Sequence, residues 1–176
     1  MKKAVKKVII ALLVMATVQA GHTKECNYKT NKGGVTETKE FQVVMTWSKG
    51  MGCAFLRENS NYYLKIGYQR AFSGRISIDA DTPLVLTLGD GQVLSLVPGG
   101  DAASRIKIGS FLLTDKLIRS TYPLARERVE LLKTHGLLNL EISFKKEDGT
   151  IISEGFAVKS KGNQRLKRNA ECILLH

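Results

Sequence analysis

The sequence predicts an α+β fold. It describes a single domain built on a curved, mostly antiparallel sheet of about nine or ten short strands, with two late helices packed on one face. Two observations carry this. Between Phe41 and Ile118 apolar residues recur at every second position, in short runs broken by polar turns, which is the period of half-buried strands. After Pro123 the period lengthens to that of a helix, and it does so again near the C-terminus.

The strands follow in order. In FQVVMTW, Phe41, Val43, Met45 and Trp47 share a face. CAFLR follows after the break at Gly50 and Gly52, then YYLKIGY with Tyr62, Leu64, Ile66 and Tyr68 on one side. RISID (75–79), PLVLTL (83–88), QVLSLV (92–97), IKIG (106–109) and FLLTDKLI (111–118) continue the rhythm. Short strands joined by polar turns imply antiparallel hairpins.

The first helix is expected over 123–135, with Pro123 in its first turn, Ser120 or Thr121 as its cap and Gly136 as its C′ residue. Leu124, Ala125, Val129, Leu131 and Leu132 form its apolar arc. LLNLEISF (137–144) and IISEGFAVK (151–159) then read as a hairpin closed at Asp148-Gly149. Leu166, Ala170, Ile173 and Leu174 recur at helical spacing, which predicts the second helix over 164–175.

The first twenty residues set the expected location. Lys2, Lys3, Lys6 and Lys7 precede an apolar run from Val8 to Val14, and Val18-Gln19-Ala20 ends in small residues. That is the layout of a secretory signal peptide cleaved after Ala20. Its apolar core is too short to cross a bilayer, which takes about 20 residues. No later stretch approaches that length, so no transmembrane span is expected in the mature chain. The mature protein is therefore expected to be periplasmic or extracellular in a bacterial envelope. Residues 21–40, with one aromatic and almost no apolar side chains, are expected to be a polar loop or mobile arm, and 41–176 the α+β domain.

The precursor carries 27 basic and 16 acidic residues, a net charge of +11. Losing the four leader lysines leaves +7. Outside the cytoplasm such a charge does not meet nucleic acid. It suits solubility first, and after that an anionic envelope polymer or another envelope protein. Three cysteines, Cys26, Cys53 and Cys172, leave at least one thiol unpaired. A Cys26–Cys53 disulfide is the expected pair, because it would pin the polar arm to the sheet.

Signals for chemistry are weak. The stretch around Gly89-Asp90-Gly91 lacks the lysine, the third glycine and the following helix that a phosphate loop needs, and reads as a hairpin turn. Asp79, Asp81 and Asp90 lack calcium-loop spacing, since Pro83 and Leu84 stand where a ligand and a glycine belong. No Cys/His cluster suits zinc, and neither metal nor cofactor is expected. Cys53 and His135 are the candidates for a catalytic pair, set against simpler roles in a disulfide and at a helix C-terminus.

Lys159, Lys161, Arg165, Lys167 and Arg168 form a basic run that, joined by Lys145 and Lys146, would make one electropositive end for an anionic ligand. Trp47, Tyr62, Tyr63, Tyr68 and Phe72 would stack on sugar rings if exposed, but read first as core. The expected function is a non-enzymatic binding or interaction module. The alternatives are an envelope hydrolase or transferase with a carboxylate or Cys53/His135 site, and an accessory subunit pairing through a sheet edge.

Overall fold

The computed structural model describes residues 26, 28–30, 33–45, 49–71, 75–103, 105–108 and 114–175. The signal-peptide reading, Trp47 and Phe72 lie outside them. The α+β class and the antiparallel pairing hold, and the strands divide between two sheets that share one core.

Sheet A contains β1 (Tyr28–Thr30), β2 (Val35–Thr38), β3 (Phe41–Met45), β4 (Lys49–Glu58), β5 (Asn61–Ala71), β10 (Arg105–Ile108) and β11 (Thr114–Leu124). Its order is β1-β2-β4-β5-β11-β10, with β3 also paired to β4. Sheet B contains β6 (Ile76–Ile78), β7 (Leu84–Leu88), β8 (Val93–Leu96), β9 (Ala102–Ala103), β12 (Leu137–Lys146) and β13 (Ile151–Ala157). Its path is β8-β7-β12-β6-β9, and β13 lies on the other edge of β12. Two helices complete the fold, α1 (Arg126–His135) and α2 (Ser160–Leu174).

Side-chain alternation builds the core as expected. Tyr62, Leu64, Ile66 and Tyr68 of β5 point inward, with Leu84, Leu86 and Leu88 of β7 and Leu140, Ile142 and Phe144 of β12. Tyr68 joins the sheets: its ring stacks on Phe144 at 5.0 Å and lies 5.8 Å from Phe156. Its hydroxyl donates to the Glu154 carboxylate at 2.6 Å.

Three expectations are corrected. Residues 21–40 are not all loop, since β1 and β2 form a hairpin on the edge of β4. Their pairing rests on polar cross-strand contacts rather than apolar alternation. Phe55 N–H donates to the buried Thr38 hydroxyl at 2.9 Å, and Lys65 pairs with Glu37 at 2.7 Å.

The second correction concerns α1, which starts at Arg126, because β11 runs on through Pro123 in register with β5. Thr121 turns its carbonyl away from β5 to accept Gly99 N–H at 2.7 Å. Pro123, two residues on, therefore has its missing N–H on the same side, away from the β5 ladder, where a strand tolerates proline. Ser120 is buried in the strand and Thr121 lies within it, so neither caps the helix. Ala125 occupies the N-cap without a side-chain hydrogen bond.

The third is the disulfide. Cys26 pairs with Cys172 of α2, and Cys53 is free. Cys53 faces the core from β4 at 0% exposure, out of reach of a segment entering at the outer strand β1. α2 crosses the β2–β4 side of the sheet, with Gly162 against the Val43 backbone and Asn169 donating to the Lys39 carbonyl, and this brings Cys172 to the rim.

The helix ends interlock with the sheets. Gly136, at φ 69° and ψ −161°, closes α1, a backbone region open essentially to glycine. Its N–H donates to Leu132 O, and the Asn163 side-chain oxygen of α2 accepts from Leu137 N–H at 2.9 Å.

Candidate functional site

The residues expected to carry chemistry do not assemble. Cys53 sits inside the sandwich, where burial foremost and the nearby Glu40 charge second push its thiol up, away from the thiolate a nucleophile requires. His135 lies at the C-terminal end of α1 and makes a 3.3 Å contact through Nδ1 with Asp90 Oδ2 in the β7–β8 turn. That turn is the Asp90-Gly91 hairpin the sequence predicts, with Gly91 at φ 88°. Gly89 packs so closely on the His135 carbonyl that a Cβ there would collide with it. His135 thus anchors a hairpin tip to a helix end.

Lys161, Arg165 and Arg168 lie exposed on α2, with Lys159 at its N-cap, while Lys167 is half-buried. Lys145 and Lys146 do not join them. Val158, next to the start of α2, donates to Leu138 at the opposite end of β12, roughly 20–25 Å along the strand from Lys145. Lys145 instead bridges Asp79 at 3.3 Å and Asp81 at 3.4 Å, and these two carboxylates hold its ammonium above the usual lysine range. Asp79 and Asp81 are turn residues, with Asp81 N–H donating to the Asp79 side chain. Among the described residues no cluster of His, Cys, Asp and Glu suits a metal ion.

Among the described residues two outer surfaces bear on binding. The first is the outer face of sheet B, formed by β8, β7, β12 and β13. Its rungs run Val93–Thr87–Asn139–Ala157 and Ser95–Val85–Glu141–Gly155, followed by Ser143–Ser153. Glu141 is the one charged side chain in these rungs. Val93 is 59% exposed and Ile151, at the far end, 48%.

The edge of this face is open. Val158 N–H donates to Leu138 O, and Lys146 N–H donates to Thr150 O. The β12–β13 register between these bonds is unbroken, so even-numbered residues of β13 bond to β12. Ile151, Ser153, Gly155 and Ala157 therefore turn their N–H and C=O groups away from it. Among the described residues no strand pairs with that edge. Tyr68 holds the strand from below through Glu154 and Phe156.

The second surface is a groove of about 440 Å³ on the outer side of sheet A. Tyr63, Leu56 and Val35 contribute to it from neighbouring strands, and Glu58 and Arg119 flank them. Its far wall is the β8–β9 connection at Gly99, Gly100 and Asp101. Gly99 packs against Thr121 O and the Pro123 ring, each 3.4 Å from where a Cβ would stand, so the loop hugs β11.

Of the aromatics that the sequence offers for stacking, Tyr63 alone among the described residues lines the groove, while Tyr62 and Tyr68 are core. Tyr63 belongs to the outward register of β5, a signal present in the period-two pattern. That Asp101 and Glu58 line one groove has no local sequence signal. No protein-family model matches the chain, and no curated protein matches it.

Proposed function

We propose that the protein is an exported, non-enzymatic interaction module that takes an extended segment of another envelope protein onto edge strand β13. The observation that carries this reading is the open edge, where four consecutive odd-numbered residues direct backbone donors and acceptors outward. Natural edges are commonly blunted by charges, prolines or bulges. The outward residues Ile151, Ser153, Gly155 and Ala157 include none of these, and the β12–β13 register has no bulge. Strand addition uses such edges, main-chain bonds supplying affinity and side-chain pockets specificity.

Further support comes from the sparsely charged face beside the edge, where Glu141 is the one charge in three rungs, and from the Tyr68 contacts that hold the strand in place. The leader-like N-terminus supports export, and the Cys26–Cys172 disulfide is compatible with an oxidising compartment. The buried thiol speaks against the Cys53/His135 alternative.

The test places a photo-crosslinking residue at Ile151 in whole cells and compares it with the same probe in Gly155→Pro. The proline removes an outward N–H and leaves the β12 ladder intact. A partner adduct from Ile151, lost in Gly155→Pro while the thermal melt is retained, is expected. No adduct from Ile151, or one that survives the proline, overturns the reading.

A further inference from the structure

We propose that the groove on the outer side of sheet A is a binding site for neutral saccharides, separate from the β13 edge. The half-exposed Tyr63 lies with Leu56 and Val35 among the lining residues and gives the groove an apolar component. The C–H faces of a pyranose ring match such a surface, because an aromatic ring presents a broad, weakly negative face to them.

The rim sets the ligand class. Arg119 offers guanidinium donors, and Glu58 and Asp101 offer carboxylate acceptors. Among the described residues none of the three is ion-paired. A hydroxyl both donates and accepts, so a polyol satisfies all three side chains at once. A phosphate or carboxylate ligand would meet two carboxylates against one guanidinium, and an amine would meet Arg119. A neutral, hydroxyl-rich ligand fits where either charged class is opposed.

Size and access agree. The volume of about 440 Å³ lies in the range of small-molecule sites. In the far wall Gly100 has no atom within 4 Å of where a Cβ would stand, so a ring can approach bare backbone there.

The experiment uses the oxidised mature chain and follows amide NMR shifts on titration with neutral gluco-, manno- and N-acetylglucosamine oligosaccharides. Glucuronate and glucose 6-phosphate serve as charged comparators. At least one neutral oligosaccharide is expected to shift signals from residues 56–63 and 99–121. Affinity is expected to fall tenfold or more in Tyr63→Ala and in Arg119→Ala, and to stay within twofold in Lys161→Ala. Arg119 is exposed, so its truncation tests the site even if Tyr63→Ala folds poorly. Shifts from the charged comparators alone, no shift in either segment at 10 mM ligand (about the weak limit of such titrations), or undiminished binding in Arg119→Ala would overturn the proposal.

Discussion

On the outer side of sheet A, Gly52 and Gly67 face each other across β4 and β5, and the Glu40 carboxylate lies over them. Charged and aromatic side chains stand around this low floor: Glu37 paired with Lys65, then Arg119, Glu58 and Tyr63. On the outer side of sheet B the rungs carry valine, threonine, serine, asparagine, alanine and glycine, with Glu141 as the single charge in three rungs.

Both sheets are antiparallel and bury the same kind of inner face. Their outer faces differ because sheet A carries charged and aromatic side chains beneath the Gly99–Asp101 wall, whereas the sheet B rungs are nearly free of charge and end at an open edge. A recess with mixed polarity suits a small ligand, whereas a sparsely charged face ending in an open edge suits another polypeptide.

The inner sides differ as well. Among the described residues sheet A buries Cys53 and the three tyrosines Tyr62, Tyr68 and Tyr122, and sheet B's inner rungs on β7 are all leucine. The Tyr122 and Ser120 hydroxyls are buried without a hydrogen-bond partner among the described residues. Burial foremost pushes the Tyr122 phenol up to about 12, and the Ser120 hydroxyl beside it, short of good bonding geometry, opposes the rise only in part.

The largest expected effect tests whether sheet A depends on its rim. Cys172→Ser opens a loop spanning 146 residues. In the chain-entropy account this costs about 4–5 kcal/mol. Hydrogen exchange should show protection lost first at β1, β2 and α2, with β12 and β13 holding longer. Simultaneous loss in both sheets would erase the distinction.

Next comes alkaline denaturation. The unfolded chain ionises Tyr122 near its ordinary 10.0, the folded chain only near 12, so this stabilisation is complete below pH 10 and lost as pH rises to about 12. The loss amounts to about 2–3 kcal/mol. Cys53, raised for the same reason, adds a decline of the same sign above its ordinary 9.0. Denaturant titrations of the wild type and of Tyr122→Phe at pH 9 and 12 measure it. An equal decline in the variant would remove Tyr122 as the cause.

The smallest effect probes the coupling between the sheets. Tyr68→Phe removes the bond to Glu154 and keeps the ring contacts, at a cost of about 1.5–3 kcal/mol. Exchange at β13 should quicken while sugar titration of the groove is unchanged. Unchanged exchange at β13 would mean that the edge is held by β12 alone.

Much of this was legible in the sequence. The inward register of β5, the Asp90-Gly91 and Asp148-Gly149 hairpins, and the apolar stripe of Leu166, Ala170 and Ile173 follow from local periods and turn chemistry. Local signals misled where tertiary pairing outweighed them. Pro123 has the look of a helix start, but ten rungs of pairing between β11 and β5 carry the strand past it. Residues 28–30 and 35–38 lack apolar alternation, yet β1 pairs with β2, and the edge of β4 supplies partners for the β2 backbone and the Thr38 hydroxyl.

By itself the sequence determined the α+β class, the hairpins, the core faces and the weakness of the thiol-enzyme reading, because these depend on residue period and on chemistry within a few positions. Only the tertiary structure decided the division into two sheets, the Cys26–Cys172 bridge, the open edge of β13 and the groove beneath Gly99–Asp101. Each of these depends on which distant segments become neighbours. Cys26 and Cys172 are 146 residues apart in sequence and 5.5 Å apart at their Cα atoms, and no local pattern encodes that approach.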